Sequence, residues 1–131
     1  MSIDSLMENM PQKIFTPEEA NRRLPLIKRI VEDILSKGKR LKALGLLSET
    51  PSVKQERETL IDGIEDLMSE LQNLGCYFKD WNFEIGLVDF PSLIGGEQVL
   101  LCWRSDEPRL EWYHGMEDGY PGRKRIPEEL L

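Results

Sequence analysis

Apolar residues recur every three or four positions through the first half of the chain, which is the spacing of an α-helix with one buried face. The first series is Ala20, Leu24, Ile27, Val31, Ile34, Gly38 and Leu41, and the second is Val53, Leu60, Ile64, Leu67, Leu71 and Leu74. Two amphipathic helices of this length bury their apolar faces most simply by packing on each other. The sequence therefore predicts a long antiparallel helical hairpin over residues 16–75.

The ends of the two helices carry recognisable signals. Thr16 stands before a proline and three residues before a glutamate, which is typical of a helix start. Gly75 ends the second series as a C-terminal cap, and Gly45 and Pro51 bracket the turn between the helices. Pro25 lies inside the first series, where it removes a backbone hydrogen bond and predicts a kink or a restart of the helix.

The pattern changes after residue 75 to short runs of aromatic and β-branched residues separated by Gly and Pro. These runs cover residues 77–81, 86–90, 97–104 and 109–114, and they predict strands. Loop lengths suggest that His114 lies opposite Val99 and that residues 91–96 form a loop, which puts His114 on the apolar face toward the helices. The other face is also partly apolar, so we expect the C-terminal tail or a second subunit to cover it.

The overall prediction is an α+β protein in which the hairpin packs on a small antiparallel sheet of three to four strands. With 131 residues the chain fits a single domain, 1–131. We expect a flexible N-terminus at 1–14, the hairpin at 16–75, and a β-meander with a tail at 76–131.

Composition narrows the possible functions. The net charge of −7 disfavours nucleic acid as a partner, although the first helix is basic and the second acidic. No apolar run approaches the roughly 20 residues of a membrane helix, and Asp4 and Glu8 stand where a secretory signal carries positive charge. Cys76 and Cys102 form no CxxC motif, which indicates two reduced thiols. A cytoplasmic location is therefore expected.

The candidate chemistry lies in the C-terminal half, where one histidine accompanies several carboxylates. Asp89, Glu107 and His114 are a sufficient ligand set for a divalent metal, with Asp80 as a further acidic neighbour, and no other cofactor is predicted. The alternative is a histidine whose hydrogen bonds are satisfied at the edge of the core, because no short motif places two ligands on one face. The tail residues Arg123 and Arg125 are candidates for contact with an anion or a partner.

Two of the Trp residues and both Cys residues are expected to be structural. Cys102 can act as a nucleophile only beside a base, and the predicted register gives it Glu111 rather than His114 as its neighbour. Trp103 and Trp112 point to the predicted core, which favours packing over a stacking platform for a ligand.

Several strings of the chain, taken together, resemble an uncharacterised bacterial family, the domain of unknown function 2203. They are FTPEEANRRLPLI, LGCYFKDW, GLVDFPS, VLLCWR, WYHG and GYPGR. The resemblance spans nearly the whole chain, from Phe15 to Pro127. One departure is Asp106, where the family pattern suggests a glycine before Glu107. The resemblance implies an α+β protein without an established activity, so it supports the fold and transfers no catalytic residue.

These observations leave three functional hypotheses. The first is a non-enzymatic, self-associating binding or scaffold protein, expected as a homodimer, because two apolar helix stripes and a two-sided apolar sheet offer much surface for association. The second is a metal-dependent, hydrolase-like enzyme that uses His114, Asp89 and Glu107. The third is nucleic-acid binding through the basic first helix, which the net charge disfavours.

Overall fold

The computed structural model describes residues 13–80 and 82–131, so the predicted flexible N-terminus at 1–14 and Trp81 lie largely outside the described residues. Helices α1 and α2 are followed by a five-stranded antiparallel sheet in the order β1-β2-β3-β4-β5. The elements are α1 Pro17–Leu44, α2 Pro51–Leu74, β1 Tyr77–Phe78, β2 Leu87–Ile94, β3 Glu97–Arg104, β4 Trp112–Gly115 and β5 Lys124–Arg125, with 3-10 turns at Tyr120–Gly122 and Glu128–Leu130. The predicted α+β class is confirmed, with five strands instead of three or four.

The helix boundaries follow the capping signals. Thr16 Oγ1 accepts a hydrogen bond of 3.1 Å from the Glu19 amide, and Gly75 ends α2 with a φ of 95°. Helix α1 continues through Pro25, so a restart there is ruled out. One lost hydrogen bond is outweighed because α1 buries a full apolar face. Among the described residues, neither helix is long and apolar enough to cross a membrane.

The main core lies between α1 and one face of the sheet. It joins the predicted α1 stripe to sheet residues that include Val88, Phe90, Leu101 and Trp103. Helix α2 lies beside α1 and buries only Ile64 and Leu71, so most of its predicted stripe is half-exposed. An ion pair between Arg40 and Glu56 links the basic helix to the acidic one at 2.6 Å.

The predicted loop at 91–96 is wrong, because β2 continues to Ile94 and the turn consists of Gly95 and Gly96 alone. Both glycines have positive φ, 60° and 81°, which suits a two-residue hairpin turn. Pro91 is tolerated inside the strand because β1 pairs with β2 only at Val88 and Asp89, so no strand requires the missing N–H of the proline. On that side the Pro91 carbonyl accepts a hydrogen bond of 2.8 Å from the Phe15 amide. Phe90 consequently pairs with Leu101, whereas a loop over residues 91–96 would have placed it opposite Glu97.

The β3–β4 register differs from the predicted one by a single residue. His114 pairs with Leu100 and Trp112 with Cys102, whereas the prediction paired His114 with Val99. Because side chains alternate between the faces of a strand, this shift moves His114 and Trp112 to the face away from the helices.

The shift arises because residues 105–111 form a wide loop in place of a tight turn. The Glu107 carboxylate accepts from the Arg104 amide at 2.7 Å, and the Trp103 indole donates to the Glu107 carbonyl at 3.0 Å. Farther along, the Asn21 side chain on α1 exchanges two hydrogen bonds with the Leu110 backbone, at 2.8 and 3.0 Å. Asn21 thus ties the loop to the helix as a neighbouring strand would.

Candidate metal centre

The face of the sheet away from the helices carries a row of directly paired residues that crosses all five strands. His114 lies on the same face, beside this row, because it is two residues from Trp112 on β4. The row is Tyr77, Asp89, Cys102, Trp112 and Arg125. Strand alternation therefore brings an aspartate, a cysteine and the single histidine together on three neighbouring strands.

Asp89, Cys102 and His114 form a compact buried group, which we call the DCH cluster. One ligand atom from each residue lies within 4.8 Å of those of the other two. The relative exposures are only 1%, 1% and 2%. Buried polar groups are normally satisfied by hydrogen bonds or by a metal, so the partners of these three side chains are informative.

The orientation of the His114 ring determines which nitrogen faces the cluster. Nδ1 lies 2.8 Å from the Gly115 carbonyl oxygen, which can only accept a hydrogen bond, so Nδ1 carries a proton. Nε2 faces Asp89 at 3.4 Å from Oδ1 and 3.3 Å from Oδ2. In a neutral ring with its proton on Nδ1, Nε2 carries a lone pair. This lone pair repels the carboxylate oxygens unless a second proton or a cation lies between Nε2 and the carboxylate.

The Asp89 carboxylate is incompletely satisfied. Its Oδ2 atom is buried without a hydrogen-bond partner. Lys79 Nζ lies 2.7 Å from this oxygen and balances the negative charge as an ion pair. Apart from His114, the half-exposed Lys79 is the only basic side chain within 4.0 Å of the Asp89 carboxylate among the described residues.

Cys102 is not poised as a nucleophile. Burial, and secondarily the Asp89 carboxylate, raises the pKa of its thiol to about 12. Both nitrogens of His114 already face other groups, one the Gly115 carbonyl and the other Asp89. A catalytic Cys–His–Asp triad needs one ring nitrogen on the sulfur and the other on the carboxylate. In the structure, the ligand atoms of the three side chains instead face one another.

Both thiols should resist alkylation in the folded protein. Burial also raises the pKa of Cys76 to about 12, from an ordinary value of 9.0. Three pH units correspond to about a thousandfold less thiolate at neutral pH. Iodoacetamide at pH 8, followed by intact-mass analysis, should therefore leave both residues unmodified in native protein and modify both in denaturant. Rapid native labelling of Cys102 would contradict this description of the cluster.

The structure does not bring Glu107 or Asp80 into the DCH cluster. Glu107 accepts from Arg123 at 2.8 Å as well as from the backbone amide of Arg104. Asp80 accepts from the amides of Asn82 and Ile85, which closes the loop before β2. Of the predicted metal ligands, Asp89 and His114 are neighbours, whereas Glu107 fixes the loop after β3.

The predicted anion-contact residues of the tail lie against the sheet. The Arg123 guanidinium stacks 4.8 Å from the centre of the Trp112 ring, pairs with Glu107, and donates to the Cys102 carbonyl at 3.2 Å. Arg125 lies 5.3 Å from the Trp112 ring. The tail therefore covers part of the sheet face that lies away from the helices. Cover by the tail was one of the two expected possibilities, and cover by a second subunit was the other.

Cys102 is the member of the cluster that sequence reasoning left out. The signal was available in Gly95-Gly96, because a two-residue turn there pairs Asp89 with Cys102 directly. His114 then joins them only through the wide loop 105–111, whose length depends on hydrogen bonds that the sequence pattern does not reveal.

Fold and site together define a small α+β protein with a buried Asp/Cys/His cluster on the outer face of its sheet. The chain belongs to the family named domain of unknown function 2203, described as an uncharacterized conserved protein, whose model matches residues 13–126. Neither the curated proteins nor the solved structures gave a match. The expected family relation is confirmed, and no activity comes with it.

Proposed function

We propose that this protein binds one divalent transition-metal ion at Asp89, Cys102 and His114. In this proposal the ion has a structural role: it cross-links strands β2, β3 and β4 and catalyses no reaction. The observation that carries the proposal is the position of His114 Nε2, which faces two carboxylate oxygens at 3.3 and 3.4 Å inside a buried site. A histidine that ligates a metal commonly donates its other N–H to a backbone carbonyl, and Gly115 supplies that carbonyl.

The spacing of the cluster supports a tetrahedral ion. Ligand bonds of about 2.0 to 2.3 Å give edges of about 3.3 to 3.8 Å between ligands. The 3.3 Å separation of His114 Nε2 and Asp89 Oδ2 falls on such an edge, and it is longer than a charge-assisted hydrogen bond. The ligand atoms all lie within 4.8 Å of one another, so binding of a tetrahedral ion requires a contraction of about 1 Å at most along any edge.

The ligand types favour Zn²⁺ and similar ions over Mg²⁺ or Ca²⁺. A thiolate and an imidazole are soft to borderline donors, whereas the two hard cations take oxygen ligands. Binding also neutralises the site, because the charges of a thiolate, a carboxylate and a divalent cation cancel. A neutral complex costs less to bury than a lone carboxylate, and the Cys102 proton leaves as the metal binds.

The burial of the ligands favours a structural ion over the hydrolase alternative. Three protein ligands leave one position of a tetrahedral ion open, as in catalytic zinc sites. However, the three residues are at most 2% exposed, so a substrate cannot reach them without a rearrangement of the sheet. The hydrolase hypothesis therefore requires the fold to open for a substrate, whereas a structural ion requires no access for a substrate.

Elemental mass spectrometry on protein purified without chelator tests the proposal. We expect about one zinc, iron or cobalt per chain in the wild type and a loss of nearly all of it in Cys102→Ser. Cys76→Ala is the matched control, because Cys76 is an equally buried thiol outside the cluster. Metal retained by Cys102→Ser, or absent from all three proteins after supplementation with each ion, would contradict the proposal.

Self-association remains a second candidate function, favoured by the exposed apolar side of the hairpin. Leu26 on α1 is 45% exposed and borders a groove of about 360 Å³ that also includes Ile30 and Leu74. A second copy could cover this surface in a homodimer, as expected for a scaffold in the cytoplasm, where the two thiols stay reduced. Sedimentation equilibrium should then give a dimer that Leu26→Glu dissociates, and a wild-type monomer at high concentration would exclude this candidate.

A further inference from the structure

We infer that Lys79 is a built-in competitor for the metal, an inference that rests on the proposed function. Its ammonium group balances the Asp89 carboxylate in the metal-free protein and withdraws when the ion binds. The contact that carries the inference is the 2.7 Å separation of Lys79 Nζ and Asp89 Oδ2. This oxygen is the same buried atom that lacks a hydrogen-bond partner and faces His114 Nε2.

The charge balance explains why a cation is needed there even without metal. The Asp89 side chain is only 2% exposed, and an uncompensated buried carboxylate strongly destabilises a fold. Lys79 lies at the edge of the site with a side chain that is 49% exposed, so it supplies the positive charge from the solvent side. The metal-free chain can thus stay folded, unlike small zinc domains that unfold without their ion.

The local structure allows the ammonium group to leave. The Lys79 backbone is held by a 2.8 Å hydrogen bond from its amide to the Leu87 carbonyl, whereas its side chain reaches solvent along a flexible stem. A divalent ion brings two positive charges to Asp89 and repels the ammonium group. Binding then exchanges one cation for another at a single carboxylate, which weakens the apparent affinity for the metal and keeps the site responsive to metal concentration.

If Lys79 competes with the metal, its removal should increase zinc affinity and decrease the stability of the metal-free protein. Lys79→Met keeps the length of the stem and removes the charge, so zinc affinity should rise about tenfold, because like charges at short range repel. In the presence of a chelator the same variant should unfold at a lower denaturant concentration than the wild type. A substitution with a merely structural effect would lower stability without improving affinity.

The experiment measures zinc dissociation constants by competition with a chromogenic chelator and unfolding by denaturant in EDTA. Lys42→Met is the matched control, because Lys42 forms an exposed pair with Glu84 at 3.7 Å, and neither quantity should change. If Lys79→Met is unfolded without metal, Lys79→Gln replaces it, since its amide can still donate to Asp89. Either variant binding zinc no more tightly than wild type overturns the role of Lys79.

Failure of the inference is distinguishable from failure of the proposed function. Equal zinc binding by wild type and Lys79→Met, with loss in Cys102→Ser, would remove the competitor role and leave the metal centre standing. No binding by any of these proteins would overturn both, because the competition needs a site to act on.

Discussion

Saturating Zn²⁺ is expected to raise the free energy of unfolding by about 4 kcal/mol when free zinc is a thousandfold above its dissociation constant. The reason is that the DCH cluster draws its ligands from three strands, β2, β3 and β4, and forms only in the folded chain. For a domain of this size, the gain corresponds to a rise of roughly 10 to 20 °C in Tm. Thermal unfolding with and without zinc, at fixed protein concentration, measures this effect.

The control for the zinc effect is His114→Ala. This variant lacks the imidazole that we propose as a ligand, so its Tm should be lower than that of the wild type and unchanged by zinc. Since His114 is buried, its removal also costs stability in the absence of metal, and only the difference between the zinc and EDTA measurements is compared. An equal zinc response in both proteins would place the binding site elsewhere.

Trp103→Ala is expected to destabilise the fold by about 3 to 5 kcal/mol, a large part of the stability of a typical domain. The Trp103 side chain is among the largest in the core and is 1% exposed. Its removal leaves a cavity between α1 and the sheet and deprives the Glu107 carbonyl of its hydrogen bond from the indole. Denaturant unfolding in EDTA measures the loss independently of metal.

Trp103→Phe separates the two contributions of the indole. The phenyl ring keeps most of the apolar contacts and lacks the N–H donor, so we expect a smaller loss of about 1 to 2 kcal/mol. A loss for Trp103→Ala below about 1 kcal/mol would mean that the hairpin and the sheet do not share one core.

The helical hairpin could be predicted from the sequence because its signals are local. The three- and four-residue spacing, the Thr16 cap and the Gly75 cap each act within a few residues, and the structure retains all of them. The restart predicted at Pro25 is wrong because α1 packs on the sheet. This long-range packing outweighs the one hydrogen bond that the proline removes.

The site could be predicted only in part because it depends on strand register. Asp89 and His114 were identified by their chemistry, yet their proximity requires the two-residue turn at Gly95-Gly96 and the wide loop 105–111. That loop is held by Asn21, which lies 89 positions from its partner Leu110. No local pattern reports such a contact, and a shift of one residue moved His114 to the opposite face of the sheet.

Addition of Co²⁺ to chelator-treated protein, followed by visible and near-ultraviolet absorption spectroscopy, tests the central claim most directly. Tetrahedral cobalt absorbs strongly in the visible range, and a cobalt–thiolate bond adds a charge-transfer band in the near ultraviolet. We predict both features in the wild type at one cobalt per chain, with the charge-transfer band lost in Cys102→Ser and kept in Cys76→Ala. A weak spectrum typical of octahedral cobalt, without a thiolate band, would contradict metal binding by Asp89, Cys102 and His114.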